Sequence, residues 1–416
     1  MIEFPPLRTV VCRWPRPRVE EPERATAEAL ERLDLSARVR SRRIAVTAGS
    51  RGIRDIVPIL RATVLHLRRL GSDPVVVAAM GSHGGGTSEG QRRVLAHLGV
   101  TETSVGATIS TAMDTVVVGV TADGLSAYCD RVAASCDGIL VINRLKPHTA
   151  FDEPFGSGLM KMLAVGLGKV EGATQIHRVG PLRLAAAIEG IARVHLDRAA
   201  VVGGLAIVEN AYGETALIEA IPPEQLVARE LVLYQEAKRL MPRLPVDELD
   251  VLIVDEIGKN FSGTGMDVHV IGRRRIAELP ELPTPRIRRI VALRLSPHSD
   301  GNAQGIGLAD FTTQRLVDAM DREITYLNTM TSTFLTRAFI PITLPSDREA
   351  IAAALETLGV DDPRSAHVIR IPNTLHLERI LASDAVVERI AQNPDVHIGA
   401  VVPWAFTSDG HLSDLP

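Results

Sequence analysis

"PVVVAAMGSHGGGTSEGQRRVLAHLG", residues 74–99, decides the fold. It opens as a β-branched, uncharged run, passes through the turn "GSHGGG" and continues with helical periodicity. Thr87 or Ser88 suits the helix N-cap, and Gly99 suits the stop. Upstream, "RRIAVTAGS" precedes the helix-like "DIVPILRATVLHLRRLG" in the same order. Downstream, "GILVINRLKPH", "AVVGGLAIVEN", "DVLIVDEIGKN", "RIVALRLSP" and "HIGAVVPW" read as further buried strands. This alternation predicts an α/β chain with mainly parallel sheets.

The long helical stretch "PPEQLVARELVLYQEAKRLMPRLPVDELD" ends in a Pro-punctuated connection. It predicts two α/β domains, 1–242 and 243–416, with the active site in the cleft between them. The last roughly 20–30 residues are placed to pack back on the N-terminal domain.

The chain has 416 residues, 45% hydrophobic and 23% charged, the composition of a globular protein with full cores. Its net charge of −4 gives no basic bias toward nucleic acid, and 3% aromatics leave little for base stacking. Cys12, Cys129 and Cys136 form no CxxC and cannot all pair, which favours a reduced, cytoplasmic setting. The N-terminus lacks an apolar signal-peptide region, and no uncharged run has membrane-spanning length.

Charged and titratable residues fall at strand exits. Arg51 follows "IAVTAGS", His83 follows "VVVAAMGS", His148 follows "ILVINRLKP" and Lys259 follows "VLIVDEIG". Ligands of open α/β sheets bind beyond the carboxyl ends of the strands, so these four groups point to one cleft. Gly84, Gly85 and Gly86 bring backbone amides to a helix start, which suits an anion or simply a tight turn. Lys161 is set among Gly158, Leu159, Met160, Met162 and Leu163, where an unpaired ammonium is costly unless it snorkels to water. No HExxH, Cys/His cluster or GxSxG is present.

The ordered set "GSRG", "GSHGGG", "KPH", "SGLMK", "QIH" and "EIGKN" resembles the nickel-pincer-nucleotide lactate racemase family of 2-hydroxyacid racemases and epimerases. The resemblance spans the Arg51 loop through the Lys259 loop. It implies an isomerase that inverts C2 of a 2-hydroxyacid. The implied cofactor is nickel held by pyridinium-3,5-bisthiocarboxylic acid mononucleotide. Lys161 then resembles the residue that carries the cofactor, with Gly84, Gly85 and Gly86 as further cofactor-binding residues, and His177 resembles the protein ligand of a square-planar nickel. Acylation of Lys161 removes its charge, which accounts for the apolar setting.

His83 and His148 resemble the two general acid/bases, one for each face of a planar 2-keto intermediate formed by hydride transfer. Arg51 and Lys259 resemble the groups that hold the substrate carboxylate. The implied partners are a small 2-hydroxyacid and the biosynthesis proteins that supply the nickel nucleotide, with no nucleic acid or membrane.

This chain departs from lactate racemase at Ala48, where that enzyme has an acidic residue, and in the longer His148–Lys161 stretch with Asp152, Glu153 and Pro154. The particular hydroxyacid, and covalent attachment at Lys161 against retention by nickel and phosphate contacts, stay open. "SPHSDGNAQGIGLADFTTQ" looks like a further site-lining loop containing Asp300, Asn302 and Gln304. The alternatives are a Schiff-base lysine enzyme using pyridoxal phosphate, and a non-catalytic carrier of the nickel cofactor.

Overall fold

The computed structural model describes residues 3–151 and 154–415, so Asp152 and Glu153 lie outside the described residues. The chain forms two compact units, Pro15–Met241 and a second made of Met1–Trp14 with Pro242–Pro416. Strand β1 (Leu7–Cys12) belongs to the second unit, although the sequence places residues 1–14 in the N-terminal domain. The strands of the first unit are β2 (Arg43–Ala48), β3 (Asp73–Ala78), β4 (Ile109–Ser110), β5 (Thr115–Val120), β6 (Ser126–Asp130), β7 (Gly138–Arg144), β8 (Val201–Glu209) and β9 (Thr215–Ile221).

Six of these form one sheet in the order β4-β3-β2-β7-β8-β9, parallel except for the last pair. Strands β5 and β6 make a separate antiparallel ribbon. Strands β2 and β3 are buried after their first residue, and the helices that connect them cover the sheet. Ile59, Leu60, Val64 and Leu67 of helix Ile56–Arg69 pack with Ile44, Val46, Val76, Leu140 and Ile142 of the strands. Each such side chain contributes about 1.5–3 kcal/mol by leaving water. Helix Ser88–His97 starts as the sequence predicts, with the Thr87 side chain accepting the Gly90 N–H.

The second unit adds β10 (Glu248–Ile257), β11 (Arg286–Leu295), β12 (Phe311–Thr313), β13 (Ile342–Leu344), β14 (Val368–Ile371), β15 (Arg379–Ser383) and β16 (Val396–Val402). With β1 they form one sheet, β13-β12-β11-β10-β14-β15-β1-β16. The first five of that order are parallel and the remainder antiparallel.

Strand β1 lies between β15 and β16 and buries Val10 and Cys12 in this unit's core, which is why residues 1–14 belong here. Strand β16, expected to be buried, is an edge strand with His397, Ala400 and Val401 exposed. The chain's end thus returns to its first strand within this unit. No helix among the described residues is long and apolar enough to cross a membrane.

Candidate active site

Arg51, His83 and His148 leave the carboxyl ends of β2, β3 and β7, which lie side by side in the sheet order β3-β2-β7. That brings three of the four predicted strand-exit residues to one edge. Ser50 Oγ hydrogen-bonds His83 Nδ1, which ties the first two exit loops together. The His148 loop is closed at its neck, where Lys146 and Ser157 exchange backbone hydrogen bonds of 2.8 and 2.7 Å. Within it, His148 Nδ1 accepts the Ala150 N–H at 3.1 Å, and the ring stacks on Phe151 with centroids 4.2 Å apart. Accepting at Nδ1 puts the proton of the neutral ring on Nε2.

The glycine turn has a steric cause. Gly84 has φ +68°, and a Cβ there would lie 2.5 Å from the Gly90 carbonyl carbon. The turn therefore packs on the start of helix Ser88–His97 more closely than any other residue allows.

The exit loops meet a single segment. Leu159–Lys161 forms a short turn that widens into a π-turn at Met162–Gly166, and helix Lys169–Arg178 follows with His177 in its last turn. Such π-turns recur at functional sites. A Cβ on Gly49 would be 3.2 Å from Met162 Cε, and the Gly81 N–H bonds the Gly166 carbonyl oxygen at 3.2 Å. The loops after β2 and β3 therefore lie directly against the lysine segment.

The electrostatics connect the predicted residues. Burial, then the Arg51 charge, lowers the Lys161 amine from 10.5 to about 7. Burial and the Lys161 charge lower the His177 imidazole, which favours its neutral form. Arg51 remains solvent-accessible, yet desolvation and the Arg144 charge lower its guanidinium.

Sequence reasoning missed the groups that hold this arrangement. Arg144 pairs with Glu209, which also accepts the Arg54 N–H at 2.9 Å. Fully buried Lys169 bonds the Ala78 carbonyl oxygen and Gln91 Oε1, and it pairs with Asp130 at 3.0 Å. Gln91 in turn donates to the carbonyl oxygens of Gly81 at 2.9 Å and His83 at 3.4 Å. Glu230 sits buried behind the Lys161 turn. Its signal was a carboxylate on the apolar stripe of a helix.

Lys259 lies in the other unit, after β10. Its ammonium donates to the Gly263 carbonyl oxygen at 2.7 Å, to Gln304 Oε1 at 2.6 Å and to Asn328 Oδ1. Asn302 Nδ2 joins the same Asn328 oxygen at 3.3 Å. Gln304 and Asn302 thus order the Lys259 loop. Among the described residues no group of three His, Cys, Asp or Glu side chains is placed to hold a metal ion by itself.

The molecule is defined as an α/β protein of two units, each built on a mainly parallel sheet, with titratable groups gathered at the strand exits of the first. It is similar to the solved structure of the lactate racemase apoprotein from Thermoanaerobacterium thermosaccharolyticum, with a TM-score of 0.54. That likeness covers 90% of this chain and 94% of the other at 13% sequence identity, and so it speaks for the fold. No family model and no curated protein matches the chain.

Proposed function

We propose that this chain is a racemase or epimerase that inverts C2 of a 2-hydroxyacid with a nickel-pincer nucleotide. The observation that carries the reading is the lysine segment packed against the loops after β2 and β3, where burial and then the Arg51 charge lower the Lys161 amine to about 7 and the Lys161 charge in turn lowers the His177 imidazole. The residues fit the group. With a pKa of about 7 roughly half of the amine is neutral near pH 7, and the neutral amine is the form that a thiocarboxyl carbon can acylate, as a neutral imidazole is the form that binds a metal. Lys161 and His177 would hold the cofactor, with the Gly84–Gly86 turn offering amides to its phosphate. When bound, the group supplies a site that accepts the C2 hydrogen with its electron pair and returns it.

The chain's own residues supply the rest. Arg51 presents a planar fork to the substrate carboxylate. His83 and His148, carried on separate loops, take the hydroxyl proton and give it back after the face has changed. The fold shared with a lactate racemase supports the class, and Ala48 leaves the substrate open among 2-hydroxyacids. The test is a panel of single-enantiomer 2-hydroxyacids on nickel-cofactor-loaded protein, read by chiral chromatography. Inversion of at least one is expected. No inversion across the panel at full nickel occupancy rejects the reading. A lysine with this pKa also suits a Schiff base, and a pyridoxal-type absorbance with no bound nickel would favour that alternative.

A further inference from the structure

Helix Leu226–Arg239 buries Leu226, Glu230, Leu233, Tyr234 and Ala237 along one stripe. Glu230 is the member that does not belong, a carboxyl only 1% exposed. Burying such a group is costly unless its oxygens are used. Oε2 accepts the Met160 N–H at 2.9 Å, and the Leu159 amide also favours the ionised form. Oε1 has no hydrogen-bond partner among the described residues. The two amides open the Leu159–Lys161 turn, where a helix start leaves its donors unsatisfied.

Gly158 completes the arrangement. Its φ of −173° is ordinary extended backbone, so conformational freedom does not explain the glycine. Close approach does, because a Cβ there would lie 2.3 Å from Glu230 Oε1. On the other side, Asn143 Nδ2 holds the Gly158 carbonyl oxygen at 2.8 Å. The chain entering Lys161 is therefore gripped twice, at its carbonyl by Asn143 and at its next amides by Glu230.

We propose that Glu230 is a positioning residue that fixes the turn carrying Lys161 and so sets where the Lys161 side chain leaves the backbone. This builds on Lys161 as the functional lysine, but its test needs neither nickel nor substrate. A failed racemase assay and a failed positioning role are therefore distinguishable.

The full chain without cofactor is labelled with trace acetic anhydride across a pH series. Modification of Lys161 is followed by peptide mass spectrometry, with the exposed Lys238 as internal reference. The unsubstituted protein should give a Lys161 midpoint of about 7. Glu230→Leu removes both acceptor oxygens, and Gly158→Ala pushes a methyl group into the carboxylate. Each should move the midpoint toward that of an ordinary lysine, by a pH unit or more, which makes the neutral fraction at pH 7 smaller by about fivefold or more. Glu230→Gln keeps an acceptor and should retain most of the original midpoint, a rescue that a loss of general stability does not produce.

If Glu230→Leu does not fold, Gly158→Ala decides by the same readout. An unchanged midpoint in the Leu or Ala variant overturns the proposal, as does a Gln variant that shifts as far as Leu. An ordinary lysine midpoint in the unsubstituted protein overturns it too, because no held position would then exist.

Discussion

Lys169 Nζ lies 3.0 Å from Asp130 Oδ2, and neither side chain has any exposure to solvent. The pair links the helix bearing His177 to the end of β6, and the Lys169–Gln91 bond extends it to the His83 turn. Lys169→Met leaves a buried carboxylate alone and should cost about 3–5 kcal/mol of unfolding free energy. Adding Asp130→Asn removes the stranded charge and should recover part of that loss, because an amide can still cap the Ala133 N–H that Asp130 accepts at 2.9 Å. Urea titrations of the two single variants and the double variant give the coupling directly. A loss below about 1 kcal/mol for Lys169→Met would remove the pair from the framework.

The pH dependence of stability should bend near neutrality. Burial raises the Glu230 carboxyl from 4.5 to about 7, against the pull of the Met160 and Leu159 amides. Between those values the folded chain holds a proton that the unfolded chain has released. Its contribution is fully present below about 4.5 and is lost as pH rises through about 7, on the order of 3 kcal/mol. Lys161 acts in the next window. Its folded pKa is depressed from 10.5 to about 7, so stability is recovered as pH rises between those values. Urea unfolding of the cofactor-free chain should therefore show these two limbs meeting near pH 7. Glu230→Gln should flatten the acid limb alone and Lys161→Met the alkaline limb alone.

Most of the strands that sequence reading found are buried on both faces, with the exposed edge strand β16 as the exception. Strands β2, β3, β7 and β8 read as continuous apolar runs because helices cover the sheet. Strand β4 has two residues and leaves no such run, whereas β5 carries the apolar run Val116–Val120 but is not covered on both faces and lies outside the main sheet. Residues 1–14 were misplaced for a different reason. The partners of β1 lie at Arg379–Ser383 and Val396–Val402, and no local pattern announces a pairing over that separation. In the site, Arg51, His83 and His148 were legible because a polar residue right after a buried strand stands out. Arg144 is the last residue of its strand, and Lys169 ends a glycine-rich run that reads equally well as a turn. Their roles come from what the fold places opposite them.

Cofactor retention and proton transfer should separate by residue. Lys161→Ala should abolish any covalent mass increment, and His177→Ala should lower bound nickel, read by intact-protein mass spectrometry and metal quantitation. His83→Ala and His148→Ala should keep nickel yet lose about 10²–10⁴-fold in racemisation in both directions, since each direction uses both imidazoles. Near-normal turnover in either histidine variant contradicts the two-base assignment. Full nickel in His177→Ala removes that residue as a ligand.

The hydrogen at C2 distinguishes the proposed chemistry from ordinary proton abstraction. Removing it as a proton must overcome the weak acidity of a carbon beside an ionised carboxylate. The proton would then pass through a side chain in contact with water and exchange. In the proposed reaction that hydrogen leaves with its electron pair and returns to the opposite face, while only the hydroxyl proton passes through His83 and His148. Hydrogen moved as hydride is not traded with solvent. A 2-hydroxyacid deuterated at C2 should therefore give its enantiomer with the label retained in ordinary water. Traces of 2-keto acid should accumulate when the oxidised substrate escapes before return. Mass spectrometry of the separated enantiomers measures both, and complete washout of label without keto acid would exclude hydride transfer in this site.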